Sequence, residues 1–376
     1  MNSVRILSTG SYLPGDPIPN EELDELTGGL PADVLEGIQV ETRHWIADPH
    51  TGEQSESNSD MACKAVTEAL ELAGLEAGDL DLLIVSTASP EYHLPPTATF
   101  VQAKLGLERL ATADIRSGCA GAVEAFDFAR LYLERGVHKT AAVVGSEAIS
   151  PLTVPVFLGQ DPNRVRMRDK LGVYSFGDGA GAMILQADES GDGGVLGSAI
   201  ACMGGTHKPG MQVIGGGTHA PIHEQLDAKR LVELKVDVVE SGRFTPYVLT
   251  EGLRETLAHC DVEADSIDMC VIPEGNATYM TDELREAGLL TAEWTSLEPK
   301  IFENLSMVGA TGSAAVPLAV DYAWKTGAIK QGEMMMLLAI ETSRWKYGGT
   351  VFPWTAEPVP EAKAVAPGAQ APPSAT

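Results

Sequence analysis

Several things are scarce in this 376-residue chain. No apolar run exceeds the seven residues Met334–Ile340. A membrane span needs about 20, so none is expected. Positive charge is short: 26 Lys and Arg face 53 Asp and Glu, a formal charge of −27. That balance works against a broad basic face, and so against non-specific nucleic-acid binding. The five cysteines (63, 119, 202, 260 and 270) are widely spaced and contain no CxxC pair. The usual metal-cluster and disulfide-framework patterns are therefore missing. Met1–Leu7 enters a strand-like run with no charged, apolar and cleavage regions in succession. No secretory signal is expected, and the expected setting is a reducing cytoplasm. Aromatics are only 6%, whereas glycine is plentiful at 39 residues. Such a composition suits close packing of helices on sheets.

With 44% hydrophobic and 21% charged residues, the chain has the makings of a large globular core. Its length suggests two to three folding units. Residues 356–376 are rich in Pro and Ala without apolar periodicity, so a disordered tail is expected and the folded unit should end near Trp354. The remainder carries a weak internal repeat. Ala77–Val85 (AGDLDLLIV) is echoed by Ala264–Ile272 (ADSIDMCVI). Gly118–Gly136 is echoed by Gly309–Gly327, each opening with small residues and closing on glycine. Strands and helices alternate, predicting an α/β protein. The duplication predicts halves at 1–180 and 181–355. The helices beginning near Cys119 and Ala310 are apolar around much of their circumference, so both should be buried between two sheets in a five-layer αβαβα arrangement.

Cys119 lies in Ser117-Gly-Cys-Ala-Gly, directly before a helical stretch. Unpaired N–H groups at a helix N-terminus lower a thiol's pKa and can hold an oxyanion. The bland alternative is a small buried filler. Phe176-Gly-Asp-Gly-Ala-Gly is glycine-dense but precedes a strand. A dinucleotide fingerprint needs a strand before it and a helix after it, so nucleotide binding is rejected in favour of a tight turn with close backbone approach.

Taken together, Cys119-Ala-Gly, Phe176–Gly181, Gly145-Ser-Glu, the Ser89–Ala98 segment, Gly309–Pro317 and Gly37-Ile38…Arg43 resemble the β-ketoacyl-acyl-carrier-protein synthase III family of the thiolase superfamily. The match spans about residues 1–355. The resemblance implies the five-layer thiolase fold, a homodimer, acyl thioesters of acyl carrier protein or coenzyme A as substrates, no further cofactor, and Cys119 as nucleophile.

Departures from the family pattern bear on the reaction. The family's catalytic His follows a Pro at a strand end; here that position is Glu274, in Pro273-Glu274-Gly275-Asn276. The family's active-site Asn is replaced by Ala310, and its glycine-rich oxyanion loop by Glu341-Thr342-Ser343. In the family, the His and Asn donate to the thioester oxygen as CO₂ leaves a malonyl unit. An ionised Glu only accepts hydrogen bonds, so it disfavours that route. A carboxylate whose pKa burial has raised can instead deprotonate an alcohol or an activated carbon. The expectation is a Cys119 acyl-enzyme with Glu274 as base, passing its acyl group to a hydroxyl or carbon nucleophile without decarboxylation, as in polyketide-type ester or tetronate formation. The alternatives are an ordinary decarboxylating synthase, with a His from elsewhere (His93, His207, His219 or His223), and a degenerate partner subunit.

Ser343, Ala310 and Asn276 fall at oxyanion or supporting positions by the same resemblance, with Asn276 also near the pantetheine arm. Arg164, Arg166, Arg168 and Lys170 form a basic cluster suited to an anionic carrier or phosphopantetheine, or else a solvated loop. Lys229-Arg230 and Arg344 with Lys346 are smaller clusters. The Trp that stacks on coenzyme A adenine in the family is missing from Glu22–Gly37, which favours carrier-bound acyl groups. Tyr92, Phe157, Leu158 and Met211 are the expected pocket side chains.

Overall fold

A computed structural model describes residues 2–190, 194–215, 217–227, 233–360 and 363–364. Lys229-Arg230 and most of the tail lie outside them. The principal elements of the first half are β1 (Ser3–Tyr12), α1 (Asn58–Ala73), β2 (Leu82–Ser86), β3 (Ala111–Ile115), α2 (Gly121–Glu134), β4 (Thr140–Glu147), α3 (Met167–Ser175) and β5 (Gly179–Asp188). Those of the second half are β6 (Gly197–Cys202), β7 (Met211–Ile214), β8 (Glu233–Val236), α4 (Val238–Cys260), β9 (Met269–Val271), α5 (Ala277–Glu286), β10 (Ile301–Phe302), α6 (Ala315–Lys325), β11 (Met334–Glu341) and β12 (Lys346–Pro353).

The strands build two five-stranded sheets, ordered β1-β5-β4-β2-β3 and β6-β12-β11-β9-β10. In both, the first two junctions of that order are antiparallel and the last two parallel. The internal repeat is thus a repeat of topology, and β4 and β11 are equivalent central strands.

Helix α1 packs on the outer face of the first sheet and α4 on that of the second, while α2 and α6 lie between the sheets. Burial follows from this layering. Every residue of α6 except Tyr322 is buried, and the inner cluster draws Val123, Phe126, Val320, Trp324, Met335 and Leu337 from both halves. Glycine sets the spacing: a Cβ at Gly145 on β4 would lie 1.9 Å from the Ser313 carbonyl oxygen, and one at Gly181 on β5 would lie 2.8 Å from α6 backbone.

Three expectations are corrected. The second half of the glycine-rich motif is the beginning of β5 rather than a turn; its glycines do serve close approach, Gly177 facing the Val308 carbonyl oxygen. The boundary at 180/181 cuts through β5, which belongs to the first sheet. The packed chain also continues past Trp354: Ala356 is buried, and Trp324 Nε1 donates to the Glu357 carbonyl at 3.0 Å. No helix among the described residues is long and apolar enough to cross a membrane.

Candidate active site

Cys119 sits in the turn that leads into α2, with Ala120 as the helix N-cap. The turn is held from the other half of the molecule. Ser313, just before α6, donates through Oγ to the Ser117 carbonyl at 2.7 Å and lies 3.1 Å from Ser86 Oγ. The thiol is not the activated thiolate that a helix N-terminus by itself would give. Its pKa stands well above the ordinary thiol value, first through burial and then through the negative charges of Glu341, Glu274 and Glu147. The helix end is outweighed by burial, with three carboxylates adding to it.

These carboxylates come from equivalent places. Glu147 ends β4 and Glu341 ends β11, while Glu274 follows β9, whose partner is β11. All three sit at or just beyond the C-terminal ends of sheet strands, where α/β folds commonly collect functional groups. Their surroundings differ. Glu147 accepts from the Ala88 amide at 2.9 Å, the Ser89 amide at 3.0 Å and the Ser313 amide at 3.2 Å, which makes it a clasp between the halves. Glu274 Oε1 accepts from the Ile340 amide at 2.6 Å, and its Oε2 is buried without a hydrogen-bond partner. Burial pushes Glu274 up to about 8, and the Glu341 charge adds to that push. Burial also pushes Glu147 upward, against its hydrogen bonds. Glu341 is 1% exposed; its Oε1 accepts from the Ser343 amide at 3.0 Å, and Oε2 is buried without a partner.

A cavity of about 810 Å³ reaches this group at Glu341, with Ser117, Gly118 and Ser343 also in its wall, while Cys119, Glu147 and Glu274 stand outside its lining. Of the expected pocket side chains, Tyr92 and Met211 line it. Phe157 is instead buried in a separate cluster with Trp45, and Leu158 lies against Gly52. Of the candidate histidines only His93 reaches the wall; His207 stacks on Phe244, and His219 and His223 are outside the lining.

Other predicted positions resolve differently from their expected roles. The Ser343 amide, an expected oxyanion donor, is engaged by Glu341. Ala310 is a bridge to Phe176; its amide donates to the Ser175 carbonyl at 2.8 Å, and its methyl offers no polar group. Asn276 caps α5 by accepting from the Tyr279 amide at 2.8 Å. It borders a second, open cavity with Glu36 and Gln39 rather than the one at Gly118. The basic cluster is partly spent. Lys170 is 8% exposed and donates to the Gly29 carbonyl; Arg166 pairs with Asp169 and Arg168 with Glu233. Arg164 is the most exposed of the four. Lys346 is not a surface charge either: it pairs with Glu124 and lies 3.3 Å from Ser117 Oγ.

Glu147 and Glu341 fall within the family-like segments, but sequence reasoning gives neither carboxylate a role at Cys119. The available signal was a single carboxylate closing a long apolar run, Met334–Ile340 in one case and the strand at 140–147 in the other.

Comparison with known proteins fits this geometry. The profile of the 3-oxoacyl-[acyl-carrier-protein] synthase III family matches residues 113–204, which include Cys119. The β-ketoacyl-[acyl-carrier-protein] synthase III of Caldanaerobacter subterraneus subsp. tengcongensis is 31% identical over 350 residues, covering 93% of this chain and 97% of that protein. The tetronic acid condensing enzyme AbyA1 superimposes with a TM-score of 0.78 at 25% identity, covering 93% of this chain and 100% of its own. The synthase III of Pseudomonas aeruginosa PAO1 gives a TM-score of 0.76 at 21% identity, over 95% of this chain and 100% of that one.

Proposed function

The chain belongs to the β-ketoacyl-acyl-carrier-protein synthase III family of condensing acyltransferases, and from that premise we propose that it transfers acyl groups through a Cys119 thioester without decarboxylating a malonyl unit. The observation that carries this reading is the placement of two carboxylates at the nucleophile, Glu341 over Gly118 and Glu274 on the Ile340 amide of the same strand, both of whose charges act on Cys119. A malonyl carboxylate entering that site would be a further negative charge among carboxylates, and an enolate would form beside them. Such a site favours a neutral acceptor, a hydroxyl or an acidic carbon, that gives up a proton. Glu274 is the base for that proton: its Oε2 is free of partners and buried, and with a pKa of about 8 its ionised form, which fills as pH rises toward 8, is a strong proton acceptor. AbyA1, named for tetronic acid condensation, supports an acceptor of this class.

Acyl carrier protein is the proposed donor of the acyl group. Arg164 is exposed, Arg168 pairs with Glu233 on β8, and β8 pairs with β7, whose Met211–Val213 segment lines the cavity. A second copy of the chain is proposed to cover the exposed Phe128, Leu131 and Tyr132 on α2, next to the edge strand β3.

One observation favours a second reading. At neutral pH Glu274 is largely protonated. Its Oε1 is already accepting, so the proton sits on Oε2, and a buried neutral acid can donate to a thioester oxygen. That would restore a donor for decarboxylative condensation. The test begins with intact-protein mass after exposure to an acyl-carrier-protein thioester. An adduct of the acyl mass, absent in Cys119→Ala, is expected; no adduct would remove the acyl-enzyme altogether.

A further inference from the structure

The reading above uses Glu341 only as a charge beside Cys119, yet with Glu91 it is one of two carboxylates in the cavity wall. Its placement against the nucleophile's peptide is intimate. A Cβ added at Gly118, the residue before Cys119, would meet Glu341 Oε2 at 2.2 Å and the carboxyl carbon at 3.0 Å. Glycine at 118 is therefore what lets this side chain lie over the turn. Oε1 is anchored by the Ser343 amide at 3.0 Å, which leaves Oε2 as the oxygen with no partner. A buried, partnerless carboxylate oxygen beside a thiol is costly unless it has a task. Glu274 approaches the same thiol from the neighbouring strand, but its backbone partner, Ile340, belongs to β11 as Glu341 does. The two carboxylates are thus fixed separately, one at the cavity wall and one outside its lining.

We propose that Glu341 is a catalytic residue of the acylation half-reaction, carrying the Cys119 proton to the departing thiol. The inference rests on Cys119 acyl transfer as read above. In the step, Cys119 Sγ forms a bond to the thioester carbonyl carbon and its proton passes to Glu341 Oε2. As the tetrahedral intermediate collapses, the bond from that carbon to the pantetheine sulfur breaks, and Glu341 returns the proton to that sulfur. The carboxylate is regenerated, and no oxidant or further reactant enters. The division of labour explains two carboxylates at one nucleophile: Glu341 serves thiol exchange and Glu274 serves the acceptor. A thiol that rests protonated, as Cys119 does, needs such a relay, whereas a resting thiolate would not.

Two reactions of Cys119 separate this role from a structural one. Alkylation by iodoacetamide expels iodide and needs no proton delivered, whereas acylation by an N-acetylcysteamine thioester expels a thiolate and does. In Glu341→Gln, loss of a negative charge makes the thiol easier to ionise, so alkylation at fixed pH should be as fast as in the parent or faster. Acylation followed by intact mass should slow by about 10²-fold or more, within the range for a lost general acid–base group. Glu341→Asp, which keeps a carboxylate, should recover part of the acylation rate. Parent-like acylation in Glu341→Gln overturns the assignment while leaving the acyl-enzyme intact. Equal slowing of alkylation and acylation overturns it, because the loss would then lie in the thiol itself and not in a proton returned to the departing sulfur. A parent protein that is alkylated but never acylated overturns the acyl-transfer reading and this inference with it.

Discussion

The Ile340 amide donates to Glu274 Oε1 at 2.6 Å, and this bond decides which oxygen of the carboxyl does chemistry. Oε1 is occupied by an N–H and stays an acceptor. Any proton gained or lost is therefore on Oε2, the buried oxygen without a partner. A side chain held this way delivers or removes a proton along one direction, which is what a base serving a bound acceptor requires.

Glu274→Gln keeps the shape and the acceptor at Oε1 but cannot take a proton. Transfer to the acceptor should fall by about 10²- to 10⁴-fold, the usual worth of a general base, while acylation of Cys119 stays within a few-fold. Single-turnover measurement of adduct formation and decay separates the two steps. In the parent, adduct decay should accelerate as pH rises through about 8, where Glu274 ionises.

The same group makes stability depend on pH. Its ordinary carboxyl pKa of 4.5 rises to about 8 in the fold. Between these values the folded protein keeps a proton that the unfolded chain has released, so stability declines as pH climbs from about 4.5 to about 8 and levels off above. At about 1.4 kcal/mol per pH unit, the ceiling is several kcal/mol. Glu274→Gln removes this dependence, so its urea midpoint should gain on the parent's between about pH 5.5 and about pH 8.5. Parallel midpoints would contradict a buried, raised carboxyl.

Gly118→Ala tests the packing of Glu341 over the turn. The added methyl would stand 2.2 Å from Oε2, but that atom ends a flexible side chain, so displacement should cost about 1–3 kcal/mol of stability, toward the low end. Activity should fall far more than stability. Thermal melting beside an acylation assay gives both numbers, and an unchanged acylation rate would contradict the placement.

Asp178 is buried and accepts from the amides of Ile46 at 2.8 Å and Ser150 at 2.8 Å, as well as from that of Ile149. Asp178→Ala strands these donors at once, and should cost at least about 3 kcal/mol, since hydrogen bonds to charged groups contribute roughly 1.5–3 kcal/mol each. Chemical denaturation would show it as a lowered midpoint with the slope retained.

Arg164→Glu and Arg168→Glu should raise KM for a carrier-bound substrate several-fold and leave kcat nearly unchanged, with little effect on a small N-acetylcysteamine thioester. Lys170→Glu belongs to a different class, because that amine is buried against Gly29; it should destabilise the fold instead.

Much of the architecture was legible because periodicity and the repeat report backbone topology. Ala77–Val85 and Ala264–Ile272 become β2 and β9 with their preceding turns, and the small-residue helices become α2 and α6. What sequence could not supply was the balance of forces at Cys119. Its position before a helix was visible, but the field there depends on Glu341 and Glu147, far away in the chain and brought in by sheet pairing. The basic run at 164–170 is less free than its sequence suggests for a similar reason: Asp169 and Glu233 pair with two of its arginines and Lys170 turns inward. Asn276 was placed by family position, whereas locally it is a helix N-cap.

The central claim is that acyl groups leave Cys119 for an acceptor that loses a proton rather than CO₂. The direct test offers malonyl-acyl-carrier protein together with an acyl thioester and measures CO₂, with Cys119→Ala as the blank. The account predicts an acyl adduct on Cys119 and CO₂ no greater than the blank. Cys119-dependent CO₂ release would contradict it and establish a decarboxylating synthase in which protonated Glu274 serves as the donor.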